Sequence, residues 1–319
     1  MSIRINSAPG VMSYHIVSID APSCSLSCKD GQLTCRVEGE PTKSLPLEDV
    51  AAIVITSFSA SIHSHLLLEA AKQGVALVIC ESFKPASLVL PANRSTDTLL
   101  TRAQITLPAQ TKSRLWNKTI DAKTENQLSL ATLLAPNHLA IEELAKVTRS
   151  RKPHKEPHCA KLFWQIYGET LTNGSETFRR GRDEGGINHL LNYGYAILLS
   201  TILQKCFAVG IDPTFGIAHV VREQSTPLAY DLMEPFRPCV DWRVAQWVKN
   251  HPDTEEWEVT REFRSWVTGF PLEKIDYFGL KLDIRGCIEG VVRAFRRAVL
   301  ENKTGHYKPW IQPNSKWAG

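Results

Sequence analysis

Leu26-Ser27-Cys28-Lys29-Asp30-Gly31-Gln32-Leu33-Thr34-Cys35-Arg36-Val37 decides how the chain begins. Leu26 and Cys28 before the centre, and Leu33, Cys35 and Val37 after it, alternate with polar residues. That is the period of strands with one buried face. Asp30-Gly31 between them tolerates positive φ and reads as a tight hairpin turn. Further along, Val50–Ile55 is a β-branched apolar run of strand length. Ser61–Gln73 places Ile62, Leu66 and Ala70 at helical spacing, and Gly74 supplies the stop. Val75–Cys80 and Ser87–Leu90 read as further strands. Pro91, Asn93 and Ser95 then mark a change of texture.

From Leu99 the spacing turns helical. Leu115-Trp116, Ile120, Ala122, Leu128 and Leu133-Leu134 form one long amphipathic stretch, and Ile141–Val147 forms another. Helices are also predicted around Cys159–Tyr167 and over Ile187–Phe207, Leu232–Trp247, Glu256–Thr268 and Asp283–Asn302. The expected fold is α+β: a small β-rich N-terminal domain, residues 1–98, followed by a larger all-α domain, residues 99–319. With 319 residues, 43% of them hydrophobic and 22% charged, the chain is long enough to bury a sizeable core and unlike a disordered one.

The 37 Lys and Arg against 33 Asp and Glu leave a formal charge of +4, compatible with a nucleic-acid partner without requiring one. All of the excess lies from Arg149 onward, where 24 basic residues face 20 acidic ones. No run of ~18 apolar residues is present, and the N-terminus lacks an apolar signal core. Cys24, Cys28 and Cys35 do not have the spacing of paired zinc knuckles. Reduced thiols and a cytosolic location are therefore expected.

No glycine-rich phosphate loop, G-x-S-x-G elbow, H-E-x-x-H or dinucleotide fingerprint occurs. What remains is a set of carboxylates and histidines in basic sequence. Glu156 precedes Pro157 at the entrance of a helix, where a carboxylate often only caps. His219 follows the apolar run Phe215-Gly216-Ile217-Ala218. Asp231 and Glu234 stand three apart in Asp231-Leu232-Met233-Glu234-Pro235-Phe236-Arg237-Pro238, which suits a capping box. It equally suits carboxylates for a hard cation with His219 as nitrogen partner, the set used in phosphodiester chemistry. Spacing alone does not choose between them.

Three segments occur in order: Glu156-Pro157-His158-Cys159-Ala160-Lys161, then Leu191-Asn192-Tyr193-Gly194-Tyr195-Ala196-Ile197-Leu198, then Asp231–Pro238. They resemble Cas1, the CRISPR-associated integrase, and look most like its type II form. Arg114-Leu115-Trp116-Asn117-Lys118, Ala122-Lys123 and Asn126-Gln127 also resemble the opening of that family's helical domain. The resemblance implies a metal-dependent integrase that joins prespacer 3′-OH ends to the CRISPR repeat. A nuclease on branched DNA, or a non-catalytic DNA-binding scaffold of the same fold, are the alternatives.

By the resemblance, Glu156, His219 and Glu234 are catalytic residues and ligands of Mg²⁺ or Mn²⁺, with Asp231 a further acidic position near the metal. Pro157 departs from the glycine that usually follows the first glutamate. Tyr193 flanks the site as a DNA contact. Arg149, Arg151, Lys152 and Lys155, then Arg179, Arg180 and Arg182, then Arg293, Arg296 and Arg297 suit a phosphate track. The implied partners are a second copy of the chain, Cas2 (two Cas1 dimers flanking one Cas2 dimer), prespacer and repeat DNA, and other type II adaptation proteins.

Overall fold

The computed structural model describes residues 15–312 and 317, apart from 20, 22, 56, 58, 82–83, 90–97, 151–153, 173–177, 182–183, 220–225, 253 and 255. The N-terminal part holds β1 (His15–Ile19), β2 (Ser23–Lys29), β3 (Gln32–Arg36), β4 (Lys43–Pro46), β5 (Val50–Ile55), β6 (Ser59–Ile62), α1 (Ser64–Lys72), β7 (Ala76–Glu81) and β8 (Lys84–Val89). These strands form two four-stranded sheets, ordered β4-β3-β2-β6 and β1-β5-β7-β8. The expected hairpin is β2–β3, with Cys28 opposite Leu33 and Leu26 opposite Cys35. Its turn takes φ 50° at Asp30 and 73° at Gly31, the pair of positive angles that matches the twist of the flanking strands.

The period of two along β5 divides its side chains between two cores. Ile53 and Ile55 join Val17, Leu26, Leu33, Leu47 and Leu66 in the N-terminal core. Val54 points the other way, into the helical core. There it meets the layer made by α6, which packs on β5, β7 and β8.

The helical part comprises α2 (Thr98–Ile105), α3 (Ala109–Leu134), α4 (Ile141–Thr148), α5 (Glu156–Leu171), α6 (Ile187–Ala208), α7 (Pro227–Met233), α8 (Arg237–Asn250) and α9 (Arg261–Val267). It closes with strands β9 (Lys274–Tyr277) and β10 (Leu280–Asp283) and helix α10 (Ile284–Leu300). Residues 193–203 of α6 are buried on every side, so this helix is the central strut. Among the described residues, no helix is long and apolar enough to cross a membrane. The seven described free thiols are all buried.

Two expectations are corrected. The single helix over Leu232–Trp247 is α7 and α8 joined through a 3₁₀ turn, Glu234–Phe236. Pro235 and Pro238 each lack the N–H that a continuous α-helix needs. The region after residue 99 is mostly helical but not all-α, because β9 and β10 form an antiparallel hairpin turning at Phe278 (φ 53°) and Gly279 (φ 80°). Its four-residue strands carry Lys274, Asp276, Lys281 and Asp283, so the apolar alternation is too short to stand out.

Candidate active site

Helix α3 is the backbone of the site. Its Lys123, Asn126 and Gln127 fall within five residues, and Lys123 and Gln127, four apart, share a face. The Lys123 ammonium lies 2.6 Å from Glu156 Oε1 and 2.7 Å from Glu234 Oε2, bridging α5 and the 3₁₀ turn. Asn126 is fully buried and donates to the carbonyls of Pro235 (2.8 Å) and Trp310 (3.1 Å), while its own oxygen accepts from Gln312 N (2.7 Å). The carboxylate-bearing turn is thereby tied to α3 and to the C-terminal segment.

Neither glutamate is a cap. No side chain caps α5 or the 3₁₀ turn, and Pro157 sits in the first turn of α5, where its missing N–H costs nothing. Glu234 has Arg237 Nε on its other oxygen, at 2.8 Å. Burial alone would raise the Glu234 pKa, but Arg237 and Lys123 outweigh it and hold the carboxyl at about 2. Burial alone would likewise lower the Lys123 pKa, and Glu234 and Glu156 reverse the direction.

His219 and Asp231 form a second unit. Asp231 is fully buried on α7 and gathers the loop before it. Its Oδ2 accepts from Ile217 N (2.7 Å) and Ala218 N (3.2 Å), and its Oδ1 from His219 N (3.1 Å) and Nδ1 (2.7 Å). Gly216 makes this convergence possible, because a Cβ there would stand 2.6 Å from the His219 carbonyl and 3.2 Å from Asp231 Oδ2. The hydrogen bond to Asp231 raises the His219 pKa above 6.5, and the charges of Glu234 and Arg237 also act on the ring. With Nδ1 committed, Nε2 is the ring nitrogen left for other chemistry.

Glu156 and Glu234 open into a pocket of about 300 Å³ whose other wall is Trp164, Arg180, Tyr195, Arg237 and Asp241. Arg180 lies over the rings of Trp164 (5.7 Å) and Tyr195 (5.3 Å), and it is held by Asn188 and Asn192 at 2.9 Å each. Arg237 lies over Tyr195 from a second direction at 4.7 Å. The Tyr195 hydroxyl donates to Asp241 Oδ1. Asp241 Oδ2 accepts no hydrogen bond from the described residues, and burial pushes this carboxyl up to about 7.

Two carboxylates and an imidazole are a donor set suited to a hard divalent cation, and the point between Glu156 and Glu234 already attracts a positive charge. The expected three-ligand cluster is not assembled, however. Among the described residues no three His, Cys, Asp or Glu side chains gather to hold a metal. The two glutamates meet through Lys123, while His219 is drawn onto Asp231. Asp231, a further expected ligand, spends both oxygens on the 217–219 loop and orients the histidine instead.

Tyr193 is corrected from DNA contact to core residue: it is 1% exposed and packs edge-on against Phe263. Tyr195, two positions on, occupies the pocket. Lys155 is pinned to the Thr148 carbonyl (2.6 Å) and Asp121 (2.7 Å), which joins α4 to α3 rather than presenting a charge outward. Arg179 is exposed and lies 3.7 Å from Glu184. Arg293 and Arg297 pair with Glu289 and Glu301 one turn away on the surface, and Arg296 donates to the Val209 carbonyl at 3.0 Å. Arg151, Lys152 and Arg182 lie outside the described residues. The sequence reading assigned no role to Lys123, Gln127, Trp164, Tyr195, Arg237 or Asp241; the only signal for Lys123 and Gln127 was their place in the quoted motif.

The profile described as CRISPR associated protein Cas1 matches residues 17–264. The chain belongs to the Cas1 family. A CRISPR-associated endonuclease Cas1 from Neisseria meningitidis serogroup C (strain 8013) is 30% identical over 226 residues, covering 69% of this chain and 71% of the relative. The family is CRISPR-associated, and the Neisseria relative is named an endonuclease. The fold is shared with a casposase bound to integration product (TM-score 0.75, 19% identity, 92% of each chain). It is shared too with a chain of a Cas6-RT-Cas1–Cas2 complex (TM-score 0.76, 14% identity, 98% of this chain and 37% of that one).

Proposed function

We propose that this Cas1 protein is a metal-dependent integrase that joins the 3′-hydroxyl of a prespacer to a CRISPR repeat by phosphodiester strand transfer. The observation that carries this reading is the meeting of Glu156 and Glu234 across Lys123, in a pocket that also holds Arg180 and Arg237. Glu156, Glu234 and His219 through Nε2 would hold Mg²⁺ or Mn²⁺. When bound, such an ion supplies positive charge against the charge that builds on the phosphoryl oxygens.

The protein's own groups do the positioning. The planar guanidinium of Arg180, locked by two asparagines, is preorganised for a backbone phosphate. Trp164 and Tyr195 line that wall with aromatic ring surface. Asp231 fixes the His219 ring so that Nε2 is presented in one tautomer.

The folds shared with a casposase on integration product and with a Cas1–Cas2 complex support DNA and Cas2 as partners. We extend this to a homodimer, two of which flank a Cas2 dimer, with residues 1–98 serving dimerisation and contact with DNA ends. The type II assignment rests on the Leu232–Pro238 form. The test incubates the purified chain and its Cas2 with a labelled 3′-OH duplex and a supercoiled plasmid carrying the repeat. Label joined to plasmid is the expected result. Cleavage of branched DNA without joining would replace the integrase reading with the nuclease one.

A further inference from the structure

The cation in this site is part of the chain. Lys123 Nζ stands 2.6 Å from one glutamate and 2.7 Å from the other, and only 11% of its side chain is exposed. The two carboxylates come from elements far apart in sequence, α5 and the 3₁₀ turn, and nothing else bridges them among the described residues. Arg237 serves Glu234 from the far side and does not pair with Glu156. Two carboxylates within reach of one nitrogen repel each other strongly unless a positive charge lies between them.

We propose that Lys123 is a built-in counter-cation that keeps the Glu156–Glu234 pair assembled without metal, and that a divalent cation enters only by displacing its ammonium. The inference rests on the two glutamates being metal ligands. An ammonium and a dication cannot share one gap, because like charges a few ångströms apart in a poorly solvated cleft repel by several kcal/mol at an effective dielectric of about 20. Lysine suits displacement, since its compact charge rides a flexible four-carbon stem. Asn126, one turn along α3, holds the Glu234 turn by the backbone, so the acceptor position survives when the ammonium leaves. Lys123 thus sets the metal concentration at which the enzyme turns on, acting as a positioning residue rather than as a group that reacts.

The experiment titrates Mn²⁺ into the full-length protein without DNA, following free Mn²⁺ by electron paramagnetic resonance and heat by calorimetry. Wild type, Lys123→Met, Lys123→Gln and Lys123→Arg are compared. The neutral variants are expected to bind Mn²⁺ about tenfold more tightly or better, equivalent to about 1.4 kcal/mol. Their metal-free forms should melt below wild type and gain more from Mn²⁺, whereas Lys123→Arg should stay near wild type. Lys123→Gln, which keeps a hydrogen-bond donor, decides the matter if Lys123→Met does not fold. Wild-type binding with equal or weaker binding in the neutral variants overturns the counter-cation role and leaves the metal site standing. Absence of Mn²⁺ binding in every protein overturns both.

Discussion

The hydrogen bond between His219 Nδ1 and Asp231 lifts the imidazole pKa above 6.5 against the opposing pull of partial burial. Only neutral His219 has a lone pair at Nε2, so strand transfer should fall as pH drops through that raised value. The linked stability runs in the opposite sense: the protonated pair stabilises the fold below 6.5, and this is lost as pH rises through the folded pKa. Asp231→Asn weakens the bond and should move the acid limb of the rate profile down toward 6.5. Rates measured from about pH 5 to 9 on equal amounts of folded protein check this. An unmoved limb would show that another group controls it.

At the scale of elements, α3 acts as a ruler between Glu156 on α5 and Glu234 on the turn. Asn126→Ala removes one hydrogen bond to the turn and two to the C-terminal segment, and strands two buried carbonyls and one N–H. A loss of about 1–3 kcal/mol in denaturant unfolding is expected. Strand transfer per folded molecule should fall as well, because Glu234 loses its backbone support. A less stable variant with full activity per folded molecule would separate the turn from the chemistry.

Much of this level was legible in the sequence. Asp30-Gly31 between alternating Leu and Cys residues encodes a turn locally, and the apolar run of α6 encodes a buried strut. Glu156 and Glu234 stand out as candidates through the segments that resemble the family, and His219 through its place between them. Their arrangement was not legible, because Lys123 meets its carboxylates 33 and 111 residues away in sequence. Tyr193 and Tyr195 show the same limit. On a helix they point roughly 200° apart, so one is core and the other is pocket, and only packing decides which. The β9–β10 hairpin escaped notice because charges interrupt both of its short strands.

Across the whole molecule, two buried carboxyls carry an electrostatic cost, Asp241 in the pocket wall and Glu273 away from it. Burial pushes Asp241 from 3.8 up to about 7, and Glu273 from 4.5 up to about 7 against Arg243. For a carboxyl raised on folding, the unfolded chain ionises first. The stabilising contribution is therefore complete below about 4 and lost as pH rises toward 7. Asp241→Asn removes this term at one site. The melting temperature of the variant relative to wild type should climb between pH 4 and 7 and level off above, and scanning calorimetry across that range measures it. A difference that stays flat with pH would mean Asp241 ionises normally in the folded protein.

The pairing of Glu156 with Glu234 is the claim on which the rest depends, and Glu156→Gln tests it most directly. The side chain is one-third exposed, Lys123 keeps Glu234 as its partner, and the change is isosteric, so folding should be nearly untouched. DNA affinity, dominated by phosphate contacts, should stay within about threefold. Joining of a labelled 3′-end to repeat DNA, measured at saturating DNA and about 10 mM Mg²⁺, should fall by about two orders of magnitude or more. Joining within about threefold of wild type by a folded, DNA-bound Glu156→Gln protein would contradict the account.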